Sequence, residues 1–262
     1  MTVTTHHWVL GAHDAPVLLC LHGIGSSADA FIAQRPLAAR CGRRVVAWDA
    51  PGYRASPDPA SDPGLDGWAD AAAALIRSLG VDRADVLGVS WGGVTATRLA
   101  LRHPDVVAGL VLADSSVGSG TAPERADAMR GRATALDELG IGEFSSSRAP
   151  VLFAPDADPA LVGEAARIMA ESVRMPTYQW ACNSMADTDH RGDLASVTQP
   201  TLVVVGDQDA VTPPSLSRQL AAGIPDAELV EIPGAGHLAN QEQPDAFNDA
   251  VASFLQRRSP LG

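Results

Sequence analysis

The pentapeptide Gly88-Val89-Ser90-Trp91-Gly92 follows a short apolar run, Ala84-Asp85-Val86-Leu87, and precedes a helical stretch from Val94 to His103. Strand, sharp turn and helix form the setting in which a serine is held in a strained backbone conformation with its hydroxyl exposed. Residues two before and two after such a serine approach each other closely, and glycine at both places removes the side chains that would collide. In a chain with 24 glycines the pattern alone is weak, so its partners carry the weight. A serine hydroxyl is a poor nucleophile until a base takes its proton, and the base needs an acid to orient it. His237 is the expected base. It lies in Pro233-Gly234-Ala235-Gly236-His237, a small-residue loop that lets an imidazole reach another strand end. Asp209, just after the run Leu202-Val203-Val204-Val205, is the expected acid. Asp207 and Asp114, which also follow apolar runs, remain alternatives. His6, His7, His13 and His103 read as surface residues, with His190 left open.

Attack on a carbonyl puts charge on its oxygen, and two prepositioned amide donors would stabilise it. Trp91, directly after the serine, is expected to supply one. The loop Leu21-His22-Gly23-Ile24-Gly25-Ser26 is expected to supply the other through Ile24. It leads into Ser26-Ser27-Ala28-Asp29, a good helix start.

These residues need a scaffold. Apolar runs near 7–10, 16–21, 44–48, 85–89, 107–113, 201–205 and 228–232 alternate with helical segments near 28–40, 66–79, 91–102, 214–222 and 244–257. That alternation predicts a mostly parallel sheet covered by helices on both faces. Near-continuous runs of Val, Leu and Ala fit strands buried on both sides. The interval 115–198 breaks the pattern, with helical spacing in 123–139, 159–173 and 177–187 and turns expected at Ser145-Ser146-Ser147 and Ala154-Pro155-Asp156. The chain therefore divides into a core of residues 1–114 and 199–262 and a helical cap of 115–198. The cap, together with Trp91 and Leu238, is expected to build an apolar pocket over Ser90 from His22, Gly23, Phe153, Met175, Tyr178, Trp180, Met185 and Leu238. Such a pocket would select by shape, favouring neutral esters over polyanions. Arg54, Arg125, Arg130, Arg148 and Arg174 are the arginines that could meet a substrate carboxylate.

Composition sets outer bounds. The 262 residues suffice for one large α/β domain, and the net charge of −12 disfavours nucleic acid and anionic membrane surfaces as partners. All 19 basic residues are arginine. Cys20, Cys41 and Cys182 are odd in number and far apart, which predicts neither a disulfide framework nor a metal site. The opening Met1-Thr2-Val3-Thr4-Thr5-His6-His7 has no basic or apolar leader region, so a cytoplasmic location is expected. Oligomeric state is not legible.

The order Ser90, Asp209, His237, with His22-Gly23, Asp49-Ala50-Pro51-Gly52 and Gly236-His237, resembles the α/β-hydrolase superfamily over almost the whole chain. Within it the chain is similar to the 3-oxoadipate enol-lactonase-like branch. The carrying segments are Pro176-Thr177-Tyr178 to Asp189, Gln199-Pro200-Thr201-Leu202-Val203, Val211-Thr212-Pro213-Pro214, and Pro233 to His237 running into Asn240 to Phe247. The resemblance implies the α/β-hydrolase fold, with the cap inserted after the sixth strand of the family, and a cofactor-free, metal-free serine hydrolase of small carboxylic esters or lactones. A natural-product tailoring hydrolase or cyclase, and a non-catalytic ligand receptor, are the alternatives. Three features depart from that branch. Only one strand fits before Val17, where members open with two. Arg54 stands at a usual glycine, and Trp91 replaces the common methionine or leucine. Trp at that place also resembles proline iminopeptidases and intracellular polyester depolymerases. The iminopeptidase loop His-Gly-Gly-Pro-Gly, however, is not matched by Ile24-Gly25-Ser26.

Overall fold

In the computed structural model, which describes residues 5–258, seven strands form one sheet. The chain runs through β1 (His7–Leu10), β2 (Val17–Leu21), a 3-10 segment (Ala28–Gln34), α1 (Leu37–Arg40), β3 (Arg44–Trp48), α2 (Gly64–Ser78), β4 (Ala84–Val89), α3 (Trp91–Arg102) and β5 (Val107–Ala113). Next come α4 (Pro123–Arg148), α5 (Pro159–Ser172) and α6 (Thr177–Asp187). The chain closes with β6 (Thr201–Gly206), α7 (Pro214–Gly223), β7 (Glu228–Ile232), α8 (Ala239–Glu242) and α9 (Pro244–Arg258). Strand order is β1-β3-β2-β4-β5-β6-β7. Only β1 runs antiparallel to its neighbour; every other pair is parallel.

The two-residue alternation of a strand divides the core into two layers. Val17, Leu19 and Leu21 of β2 join the cluster containing Trp68 and Ile76 of α2 and Val94 of α3. Leu18 and Cys20 join the opposite cluster, with Phe31 and with Phe247, Val251 and Leu255 of α9. Each layer removes a continuous apolar face from water, which drives the fold. Parallel pairing has a second consequence: the loops that leave β2, β4, β5, β6 and β7 all emerge at one edge of the sheet. His22, Ser90, Asp114, Asp209 and His237 sit on those loops.

One strand precedes β2, as expected, so the helical segment follows the fifth strand in this chain's own count rather than the sixth. Two expectations are corrected. The stretch 28–40 is not one helix. Pro36, which has no N–H to donate, separates the 3-10 segment from the single turn of α1. Ser145-Ser146-Ser147 is not a turn but the last part of α4. The break falls instead at Gly140, whose φ of 72° and ψ of 160° suit glycine. The Ser146 and Ser147 hydroxyls donate back to the Gly142 and Phe144 carbonyls at 2.9 and 3.1 Å, which lets serines sit inside a helix. Among the described residues no helix is long and apolar enough to cross a membrane. Residues 1–4, part of the segment read as lacking a leader, lie outside the described residues.

Candidate active site

Ser90 ends β4 and opens α3 with φ 56° and ψ −118°, a conformation that costs on the order of 1–3 kcal/mol for a non-glycine residue. The surroundings hold it there. Its amide donates to the Ala113 carbonyl at 2.8 Å, and its own carbonyl accepts from the Ser115 hydroxyl at 2.8 Å. A Cβ at Gly88 would fall on the Gly92 carbonyl, and one at Gly92 on the Leu21 carbonyl. Both glycines are thus required by close backbone approach.

His237 Nε2 lies 2.9 Å from Ser90 Oγ, and its Nδ1 lies 2.9 Å from Asp209 Oδ2. The network assigns the proton of the neutral ring to Nδ1, which leaves Nε2 free to accept the serine proton. Asp209 is buried. Its Oδ1 accepts the Val211 and Thr212 amides, each at 2.8 Å, and its Oδ2 accepts the Thr212 hydroxyl at 2.7 Å. Burial works against its charged form. The facing His237 and the Thr212 donors outweigh that and hold the carboxyl below the usual range.

Asp207 and Asp114 do other work. Asp207 accepts the Gly234 amide at 2.8 Å. Asp114 accepts Gly206 N–H through one oxygen at 2.9 Å and Ala239 N–H through the other at 3.1 Å. It therefore ties the loop carrying Asp209 to the one following His237. Burial, with Asp209 nearby, pushes the Asp114 carboxyl well above its ordinary range, while the two amides oppose that.

Trp91 is the first residue of α3, and Ile24 lies in the loop after β2. Neither amide donates to an acceptor among the described residues. The Ile24 loop is fixed from behind: Tyr53 Oη donates to the Ile24 carbonyl at 2.8 Å. His22 Nδ1 bonds the Gly23 carbonyl at 2.8 Å, and Nε2 accepts the Ala50 amide at 3.0 Å. Those partners specify the neutral Nδ1–H tautomer, and burial lowers the His22 pKa.

A cleft opens over Ser90 and His237. Of the expected pocket residues, His22, Gly23, Tyr178 and Leu238 line it, together with Ile24. Phe153, Met175, Trp180 and Met185 do not. Phe153 is buried under the His237 loop, where a Cβ at Gly236 would meet it. Met175 points to solvent, 43% exposed. Trp180 and Met185 belong to the packing around α6; Met185 lies two helical turns, about 10 Å, beyond Tyr178. The Trp91 indole also turns away from the cleft. It is 1% exposed, donates to the Ser184 hydroxyl at 3.1 Å, and meets Trp68 edge-on at 4.9 Å, so it pins the serine turn to α6. The sequence reading missed Ile168 and Met169 of α5, whose spacing with Ala165 marks the buried face of that helix.

Among the arginines singled out, Arg148 is the one that reaches the cleft, and it is joined there by one the sequence did not mark. Arg132 and Arg148 of α4 both line the cleft. Burial, with Arg132 beside it, lowers the Arg148 pKa to about 10. Of the other arginines singled out, Arg54 pairs with Asp29 and Glu171, Arg130 with Asp187, and Arg174 with Asp58.

Comparison with known proteins agrees with this architecture. The chain is 27% identical to a 3-oxoadipate enol-lactonase of Acinetobacter baylyi over 97% of its own length and 94% of that protein's. It superposes on the crystal structure of a hydrolase from Pseudomonas aeruginosa PA01 with a TM-score of 0.86 at 33% identity, covering 95% and 93% of the two chains. A thermophilic esterase from Thermogutta terrifontis gives a TM-score of 0.88 at 28% identity, covering 99% and 98%. The family described by the alpha/beta hydrolase fold matches residues 16–244, and this chain belongs to it.

Proposed function

We propose that the protein hydrolyses a small carboxylic ester or lactone through an acyl-enzyme on Ser90. The observation that carries this reading is the hydrogen-bonded chain Asp209, His237, Ser90 at the strand ends, each step 2.9 Å, with two unoccupied amides beside it. Ser90 Oγ attacks the acyl carbon as its proton passes to His237 Nε2. The Ile24 and Trp91 amides take the charge that develops on the carbonyl oxygen. The acyl carbon–oxygen bond then breaks, and the leaving alkoxide takes the proton from Nε2. In a lactone this opens the ring. Water next attacks the Ser90 ester, its proton passes through Nε2 to Ser90 Oγ, and the carboxylic acid leaves. Asp209 orients the imidazole and stabilises its charged form. Residues 115–198 act as the cap that covers the acyl group.

The lactonase and esterase among the proteins that this chain resembles support this substrate class. The test is kinetic: purified protein is assayed on a panel of short esters and lactones alongside Ser90→Ala and His237→Ala. Loss of about 10⁴-fold or more in kcat is expected for each, with little further loss in the double variant. Full activity in Ser90→Ala would overturn the reading.

A further inference from the structure

Residue 54 has a backbone that suits glycine and carries an arginine instead. Its φ of 40° lies in the left-handed region, which strains a residue with a Cβ. What that strained position sets in place is a guanidinium. Nη1 lies 2.6 Å from Asp29 Oδ2, and Nη2 lies 3.6 Å from Glu171 Oε2. Asp29 belongs to the 3-10 segment that follows the Ile24 loop, and Glu171 to the last turn of α5. The two carboxylates thus stand on opposite sides of the seam between core and cap, with Arg54 as the cation between them. The Arg54 and Asp29 side chains are only 29% and 24% exposed, so salt screens their attraction weakly.

The segments joined in this way are two walls of the cleft. Ala30 and Phe31 of the 3-10 segment line it from the core side, and Ala165, Ile168 and Met169 of α5 line it from the cap side. Hydrogen bonds to the loop around Arg54 fix only the end of α5. Arg54 N–H donates to the Ser172 carbonyl at 3.0 Å, and the Arg174 guanidinium donates to the Ser56 carbonyl at 2.9 Å. Arg167 pairs with Glu164 and Glu171 along α5 itself. Among the described residues, Arg54 is the one ion-pair partner of Asp29. Without it Asp29 would face Glu171 with no cation between, and like charges would push the seam apart.

We infer that Arg54 is a clasp that sets the spacing of these two walls, a positioning residue through which the protein limits the size of the group it accepts. The inference rests on the hydrolase reading in one respect: the walls receive the acyl group of the proposed ester or lactone. With the clasp closed, the cleft excludes long chains. With it released, α5 can draw back and the same apolar walls admit them.

The test uses p-nitrophenyl esters of straight-chain acids from acetate to octanoate, all neutral. Arg54→Gly removes the clasp and the backbone strain together; Arg54→Gln removes the charge and keeps the strain. Each methylene newly accepted against an apolar wall contributes about four-fold in binding. Both variants should therefore raise the octanoate-to-acetate ratio of kcat/KM by about five-fold or more, through KM rather than kcat. Arg54→Lys, whose charge can still reach Asp29, should return part of the wild-type ratio. Glu171→Gln placed in the Arg54→Gly background should add no further shift. Arg54→Gly should melt within about 2 °C of wild type, because relief of strain offsets the lost pair, and Arg54→Gln should melt lower than Arg54→Gly. An unchanged ratio in both variants, or a change confined to kcat, would overturn the clasp. So would a large fall in the Tm of Arg54→Gly with its ratio unaltered, which would make the arginine a part of the fold alone.

Hydrogen exchange read by mass spectrometry needs no substrate and separates this from the hydrolase reading. Amides of the 3-10 segment and of α5 should exchange faster in Arg54→Gly and Arg54→Gln than in wild type, while Ser90→Ala exchanges as wild type does. Faster exchange there, with no ester hydrolysed by wild type, would sink the catalytic assignment and keep the clasp. Hydrolysis by wild type, with exchange and chain-length ratio unchanged in both variants, would do the reverse.

Discussion

Thr212 Oγ1 lies 2.7 Å from Oδ2 of Asp209, the same carboxylate oxygen that faces Nδ1 of His237. It also lies 3.1 Å from that nitrogen and 2.9 Å from the Asp114 carbonyl. One hydroxyl thus fixes the acid against the imidazole. Thr212→Val keeps the β-branched shape and deletes the donor. A hydrogen bond to a charged group contributes about 1.5–3 kcal/mol, so kcat should fall by about ten-fold or more with KM little changed. Steady-state kinetics on the best substrate checks this. An unaltered kcat would show that the two Asp209 amide bonds suffice.

Asp209 and Asp114 should separate cleanly on substitution. Asp209→Asn presents an amide where His237 Nδ1–H needs an acceptor, and about 10⁴-fold of kcat should be lost. Asp114→Asn leaves the triad atoms in place but turns an NH₂ toward the Gly206 or the Ala239 amide. A smaller loss, of about 10–100-fold, should accompany a lower Tm. A greater loss at Asp114 than at Asp209 would move the acid to the end of β5.

Gly92→Ala places a methyl group against the Leu21 carbonyl, a backbone atom that cannot rotate away. Overpacking of that kind costs about 1–3 kcal/mol, which in a chain of this size lowers Tm by about 2–4 °C for each kcal/mol. The serine turn should shift with it, so activity falls too. Differential scanning calorimetry with a parallel assay decides. A variant as stable and active as wild type would show that the turn can open to admit a methyl group.

The buried histidines His22 and His190 should each withdraw stability on mild acidification. Burial holds His22 below the ordinary histidine range against the opposing Asp49 and the Gly23 carbonyl. Burial and Arg98 do the same to His190 against Asp193. Both groups are lowered in the folded state, so the unfolded chain binds the proton first. Their contribution to stability is therefore full above about pH 6.5 and falls as pH drops below it, by up to about 1.4 kcal/mol per pH unit for each group. Asp209, also lowered, adds a further loss only below about pH 4. Asp114, whose carboxyl burial raises, acts in the opposite sense and adds stability as pH falls. Urea unfolding at pH 7.5, 6.5 and 5.5 in wild type and His190→Asn separates the two: wild type should lose more stability, or gain less, than the variant as pH falls. The same slope in both would contradict a neutral, buried His190.

What could be read in the sequence follows from locality. The strands, their near-parallel arrangement and the positions of Ser90, Asp209 and His237 rest on short patterns in which a few adjacent residues set backbone geometry. Burial of both sheet faces leaves little choice of strand register. The lining of the cleft was legible only in part because it depends on how helices separated in sequence turn about their axes. Met185 and Trp180 looked equivalent to Tyr178 on paper, yet the docking of α6 sends only Tyr178 to the cleft. Arg132 escaped notice because nothing local distinguishes it from the solvated arginines around it. Its place in the cleft follows from the break at Gly140, which brings it beside Arg148.

The central claim is that Ser90 is an activated nucleophile. The most direct measurement is intact-mass spectrometry after treatment with a fluorophosphonate, followed by peptide mapping. One phosphonyl adduct on the peptide containing Ser90 is expected within minutes, slowed by orders of magnitude in His237→Ala and absent in Ser90→Ala. No adduct on the folded wild-type protein, or an adduct on another serine, would contradict the account.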